Sequence, residues 1–98
     1  MQSKRARVLY IDEDVENGFV LDTLLRLVDY EPVTVNFASD ALQMARNEPF
    51  DLFVFSRRFP VDAGIYLCRK FQEIAPKTPV LFLPENAVDF NLQGAAHN

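Results

Sequence analysis

Two short stretches hold the side chains that could do chemistry. Asp12, Glu13 and Asp14 place three carboxylates in succession, and Ser56, Arg57 and Arg58 put a hydroxyl next to two guanidinium groups. Adjacent carboxylates can hold a hard cation, because ions such as Mg²⁺ are bound through oxygen. The same run also reads as a solvated acidic loop in which Asp14 caps the helix that follows. The Ser56 hydroxyl can carry a phosphoester made by a kinase, although an isolated Ser after a strand more commonly closes a turn or caps a helix. Arg57 and Arg58 offer a third arrangement, in which a guanidinium neutralises the carboxylates through charge-assisted hydrogen bonds and no metal is needed.

The elements that must bring these stretches together follow from patterning. Arg7-Val-Leu-Tyr-Ile11 is β-branched and aromatic, so it reads as a strand that delivers the carboxylates at its end. A helix follows, with Val20, Leu21, Leu24, Leu27 and Val28 at helical spacing, Asp14 as its N-cap and Glu16 in its first turn. Asp29-Tyr30 ends it without a Gly. Pro32 to Asn36 is a second strand, with Pro32 placed as on an edge strand. Ser39 is expected to cap the second helix, with Asp40 in its first turn and Ala41, Leu42 and Ala45 on one face; Asn47-Glu-Pro49 stops it. The apolar run from Asp51 to Phe55 is a short buried strand that delivers Ser56. A third helix from Ile65 carries Leu67, Cys68, Phe71 and Ile74, which makes Cys68 a small core residue. Pro79-Val-Leu-Phe-Leu83 is a fourth apolar strand, followed by a loop at 84–86 and a short, weakly patterned helix from Ala87 to Gln93. Alternation of this kind specifies an α/β fold with a parallel sheet, right-handed crossovers and helices on both faces. Such sheets bind ligands beyond the carboxyl ends of their strands, where both chemical stretches fall.

Composition narrows the functions. With 98 residues, 49% of them apolar and 24% charged, residues 1–98 are read as one soluble domain. A net charge of -4 argues against nucleic-acid binding, and Lys4, Arg5 and Arg7 are too few to make a basic face and read as a solvated end. The single cysteine excludes an intrachain disulfide and fits a reducing compartment. No apolar run is long enough for a membrane span and no signal peptide is visible, so the cytoplasm is the expected location. Neither glycine-rich nucleotide motif occurs, and three glycines cannot build a phosphate-cradling loop.

In register along the chain, these pieces resemble the receiver domain of two-component response regulators. Arg7-Val-Leu-Tyr-Ile-Asp-Glu-Asp14 is similar to the family's first strand and acidic pair, and Ser39-Asp-Ala-Leu42 to its second helix. Glu48-Pro-Phe-Asp-Leu52, Pro60, Gly64, Leu67-Cys-Arg69 and Thr78-Pro-Val80 fall at the family's spacings. The resemblance implies a flavodoxin-like sheet in the order 2-1-3-4, with the family's fifth strand and helix missing. It also implies that Ser56 stands where the family carries a phosphoaccepting Asp, and Pro84 where a hydroxyl reports phosphorylation. Asp12 and Glu13 keep the charge of the Mg²⁺-holding pair, and by the family's geometry Arg58, rather than Arg57, is the residue to reach them.

A Ser hydroxyl cannot form an acyl phosphate. The expectation is a degenerate receiver-like module without enzymatic activity or cofactor, which binds a protein partner independently of phosphorylation. The alternatives are a phosphate- or Mg²⁺-responsive receiver, with a residual cation site at Asp12 and Glu13, or the front of a longer regulator with an output domain. An uncovered fourth strand without charge between Thr78 and Pro84 is also expected to recruit a second copy. Val80, Leu81, Phe82 and Leu83 would then lie near the centre of a homodimer interface, with 87–92 contributing.

Overall fold

The computed structural model describes residues 5–56 and 61–83. Four strands, β1 (Arg7–Ile11), β2 (Glu31–Val35), β3 (Leu52–Phe55) and β4 (Val80–Phe82), alternate with three helices, α1 (Val15–Leu27), α2 (Ala38–Asn47) and α3 (Val61–Ile74). The sheet is parallel throughout, in the order β2-β1-β3-β4. Leu9 sits between Val33 and Phe53, and Ile11 between Val35 and Phe55.

Alternation along the strands sends side chains to two unlike faces. One face carries Leu9, Ile11, Phe53 and Phe55, with Val33, Val35 and Val80 at its margins; Ala41 and Ala45 of α2 and Leu67 and Phe71 of α3 cover it. Phe71 lies 4.6 Å from Phe53 and 5.2 Å from Phe55, ring centroid to centroid, in tilted and edge-on geometry. Phe82 stacks on Phe55 at 5.2 Å. The other face carries Val8, Tyr10 and Val54 beneath Leu21 and Leu25 of α1, with Leu52 and Leu83 alongside.

On this second face the helical stripe expected to be buried is instead exposed. Val20, Leu24, Leu27 and Val28 all stand in solvent. The cause is the way α1 is held, since it lies over β2 and β1. Gly18 permits the close approach: a Cβ there would come within 3.0 Å of Thr34 Cγ2. The Thr34 hydroxyl donates to Asp22 at 3.1 Å, and Arg26 donates to Asp22 at 2.6 Å and to the Pro32 carbonyl at 3.4 Å. These bonds tie one flank of α1 to β2 and turn Leu21 and Leu25 onto the sheet. The opposite, apolar flank with Val20, Leu24, Leu27 and Val28 is left exposed.

Helix ends depart from the expected ones. Asp14 caps α1 as anticipated, accepting from the amides of Glu16 and Asn17 at 2.9 and 3.2 Å. At the other end Asp29 adopts φ 73°, the left-handed conformation usually given to Gly. The Tyr30 and Asp29 amides donate back to the carbonyls of Leu25 and Arg26. Ser39 does not cap α2; the cap position is Phe37, with no side-chain hydrogen bond. Asn36 donates to the Asp12 carbonyl at 2.9 Å, which fixes where the chain leaves β2 and starts the helix ahead of Ser39. Helix α3 starts at Val61 rather than Ile65, so Gly64 is helical, and the Phe82 ring fills the space of its missing side chain. Cys68 is half-buried rather than a core residue.

Arg7 is not a solvated end. Its amide donates to Asp51 at 2.7 Å, and its guanidinium to the Pro49 carbonyl at 2.9 Å and to Glu48 at 2.8 Å. The guanidinium also lies 3.4 Å from Glu31 and 4.6 Å over the Phe50 ring. No helix among the described residues is long and apolar enough to cross a membrane.

Candidate functional site

Both chemical stretches reach the carboxyl ends of adjacent central strands. Asp12 follows β1 and Ser56 follows β3. The Asp12 amide donates to the Val35 carbonyl at 3.0 Å, and the Ser56 amide to the Ile11 carbonyl at 2.9 Å. The register that pairs Ile11 with Phe55 therefore carries Asp12 beside Ser56. Both are buried, at 0% and 5% exposure, and they are the only buried polar or charged residues among those described.

The three carboxylates do not act as one cluster. Asp12 points into the protein, where its Oδ2 accepts from the Tyr10 hydroxyl at 2.6 Å and its Oδ1 from the Asp14 amide at 2.9 Å. Glu13 is exposed. Asp14 spends its Oδ1 on the first amides of α1. Among the described residues, no group of three His, Cys, Asp or Glu side chains is placed to hold a metal ion.

A Mg²⁺ site needs several oxygen ligands in octahedral order. Here each oxygen of Asp12 already accepts a hydrogen bond, Ser56 adds no charge, and Asp14 is committed to its helix. Toward such an ion the described residues supply one buried carboxylate and one uncharged hydroxyl. Arg57, Arg58 and Pro84 lie outside the described residues, as does the segment 87–92.

Patterning overlooked Tyr10. It reads as one apolar member of a strand, but residues two apart on a strand share a face, and a buried Tyr hydroxyl seeks a partner. A Tyr two places before a strand-end Asp was the available signal.

Exposure differs among the residues of the expected β4 interface. Leu81 and Phe82 are 47% and 39% exposed, whereas Val80 and Leu83 are half-buried. An open cleft of about 370 Å³ lies far from this site, between the C-terminal ends of α2 and α3, lined by Ala45, Phe50, Phe53 and Ile74 among others.

The arrangement of strands is shared with known proteins. The chain superposes on the chemotaxis response regulator CheY4 of Vibrio cholerae with a TM-score of 0.72 and 26% identity, over 82% of this chain and 68% of that one. It matches the receiver domain of HemR from Leptospira biflexa with a TM-score of 0.72 and 26% identity, over 94% and 75% of the two chains. In sequence it is 29% identical over 76 residues to the transcriptional regulatory protein ZraR of Escherichia coli. This chain has the fold of response regulator receiver domains and resembles them in sequence. The Klebsiella oxytoca ZraR is 28% identical over 83 residues, and the match spans only 19% of that protein and 17% of the Escherichia coli one. The fold also matches the response regulator TrrA, seen in complex with the histidine kinase ThkA, with a TM-score of 0.71 and 19% identity over 80% of this chain and 67% of that one. No protein-family model matches the chain.

Proposed function

We propose that this receiver domain is a phosphorylation-independent module that binds protein, with no enzymatic activity and no resident cation. The observation that carries the reading is the buried pair Asp12 and Ser56. A hydroxyl cannot supply the carboxylate that an acyl phosphate requires, and its neighbour is already hydrogen-bonded on both oxygens. Incubating the chain with a small-molecule phosphodonor and Mg²⁺ should leave its intact mass unchanged. A hydroxylamine-labile or acid-stable adduct on residues 51–60 would overturn the reading. Ser56→Asp is expected not to restore signalling, because Pro84 offers no hydroxyl to sense the added charge.

The partner surface we assign is the β4 edge. Leu81 and Phe82 leave apolar area in solvent on opposite faces of a strand that carries no charge. Such edges recruit further chains, and a second copy is the partner expected, in a two-fold dimer. Phe82→Lys should convert a sedimenting dimer to monomer; a monodisperse wild-type monomer at low micromolar concentration contradicts the assignment. Complexes such as that of TrrA with its kinase support protein binding as the work of this fold. A cytoplasmic location goes with this reading.

The ZraR matches favour one further reading. They are named transcriptional regulators and exceed this receiver several-fold in length, which supports a place at the front of a longer regulator. The reading frame flanking the chain tests it directly, and an uninterrupted output domain there would displace the stand-alone module.

A further inference from the structure

We infer that Pro32 and Arg26 close the β2 edge of the sheet to a further strand, so that assembly through β4 stops at two copies. This rests on the β4 assignment above and adds what limits it. Along an edge strand, successive residues turn their N–H and C=O groups alternately to the neighbouring strand and to the outside. On β2 the Glu31 amide donates to the Ala6 carbonyl at 2.8 Å, and the Val35 carbonyl accepts from the Asp12 amide at 3.0 Å, so residues 31, 33 and 35 face β1. Pro32 and Thr34 are left to the outside. Pro32 has no N–H to give, and its carbonyl accepts from the Arg26 guanidinium at 3.4 Å. Asp22 holds that guanidinium at 2.6 Å and accepts from the Thr34 hydroxyl at 3.1 Å. A strand arriving at β2 would leave its own carbonyl unpaired opposite the Pro32 ring and would have to displace a tethered Arg. Only the backbone of Thr34 remains, and a single residue does not make a ladder.

The β4 edge is built the other way. The Pro79 carbonyl accepts from the Phe53 amide at 3.0 Å and the Leu83 amide donates to the Phe55 carbonyl at 2.8 Å, so residues 79, 81 and 83 face β3 and Val80 and Phe82 turn outward. Both carry an N–H as well as a C=O. Two copies related by a two-fold axis beside Leu81 satisfy these groups as an antiparallel pair, in which Val80 of one copy exchanges both bonds with Phe82 of the other. Leu81 then meets its own counterpart on the α1 side of the sheet, and Phe82 lies across from Val80 on the α3 side. No charge falls between Thr78 and Pro84, so no like charges are opposed. The joined sheet has β2 at both margins. If those margins accepted strands the assembly would run on as a filament; Pro32 and Arg26 stop it.

The test opens the closed edge. Pro32→Val restores the missing donor, and Arg26→Met frees the carbonyl while keeping an apolar stem. In sedimentation the double variant should climb past the mass of two copies and keep climbing with concentration, whereas the wild type levels off at two. Adding Phe82→Lys to the double variant should leave a dimer joined through β2, while Phe82→Lys alone is a monomer. A double variant that sediments as the wild type does overturns the inference. If the double variant does not fold, amide hydrogen exchange of the wild type decides. The Thr34 amide should exchange at the same rate at low and high protein concentration, and protection of that amide as concentration rises overturns the inference. The two readings fail separately. A monomeric wild type sinks the β4 assignment, whereas the closure of β2 falls only if its opened variant assembles no further than the wild type or if Thr34 becomes protected.

Discussion

On one side of the sheet Phe53, Phe55 and Phe71 are sealed beneath α2 and α3. On the other, α1 alone among the described elements lies over Val8, Tyr10 and Val54, and it leans toward β2 and leaves Leu81 half in solvent. The two sides use similar strand residues, since alternation deals apolar side chains to both. They differ in what lies on top. Two helices cover the first side, α2 with the small residues Ala41 and Ala45 and α3 with Leu67 and Phe71, and Phe rings fill the layer. On the second side a tether of Gly18, Thr34, Asp22 and Arg26 fixes α1 over one half only. Burial of the strands is thus a property of the cover, and strand composition alone does not decide which face is dry.

This contrast can be broken by substitution. Phe71→Ala should have the largest effect, costing about 3–5 kcal/mol in urea unfolding, because a fully buried ring would leave a cavity between Phe53 and Phe55. That is a large share of the stability of a domain this size, which is about 5–15 kcal/mol. A loss under 1 kcal/mol, on the order of a surface change, would mean that the α2–α3 side is not the main core.

Gly18→Ala tests the tether. The new methyl meets Thr34 Cγ2 at 3.0 Å, and Thr34 is held by its bond to Asp22, so strain of about 1–3 kcal/mol should outweigh the gain in helix propensity. Adding Thr34→Ser removes the opposing methyl and keeps the hydroxyl. The double variant should be more stable than Gly18→Ala alone, and a cycle without coupling would place the close approach elsewhere.

The smallest effect is expected at Leu24, on the open flank of α1. Leu24→Gln should change stability by no more than about 0.5 kcal/mol, as for other surface positions. A loss comparable to that of Phe71→Ala would show that this flank is covered in solution, and would remove the contrast between the faces.

The alternating elements and the strand order were legible in the sequence, because short apolar runs, turn residues and a family-like register all agreed. Asp14 as a cap was legible for a local reason, since its partners Glu16 and Asn17 lie two and three residues on. The orientation of α1 was not. Val20, Leu24, Leu27 and Val28 have the spacing of a buried stripe, yet the decision between two neighbouring stripes rests with Gly18 and Thr34, which meet only in the folded chain. The start of α2 went wrong at Ser39 for a similar reason, because Asn36 binds a carbonyl on another strand. At the site, Asp12 and Ser56 were placed correctly at strand ends. The division of the carboxylates into one buried, one exposed and one capping was hidden, because it depends on a Tyr that patterning counts as apolar.

The bonds of Arg7 carry a consequence in time. Its partners Glu48, Pro49 and Asp51 stand 41, 42 and 44 residues along the chain. Contacts this distant can close only after the long intervening loop has been drawn in, so they follow the early local structure of a folding chain. An interaction that is largely missing at the folding barrier acts on the rate of escape from the native state rather than on arrival there. Arg7 is a latch of this kind. It does little to hasten the assembly of β1, β2 and β3, and it lengthens the time they stay together once assembled.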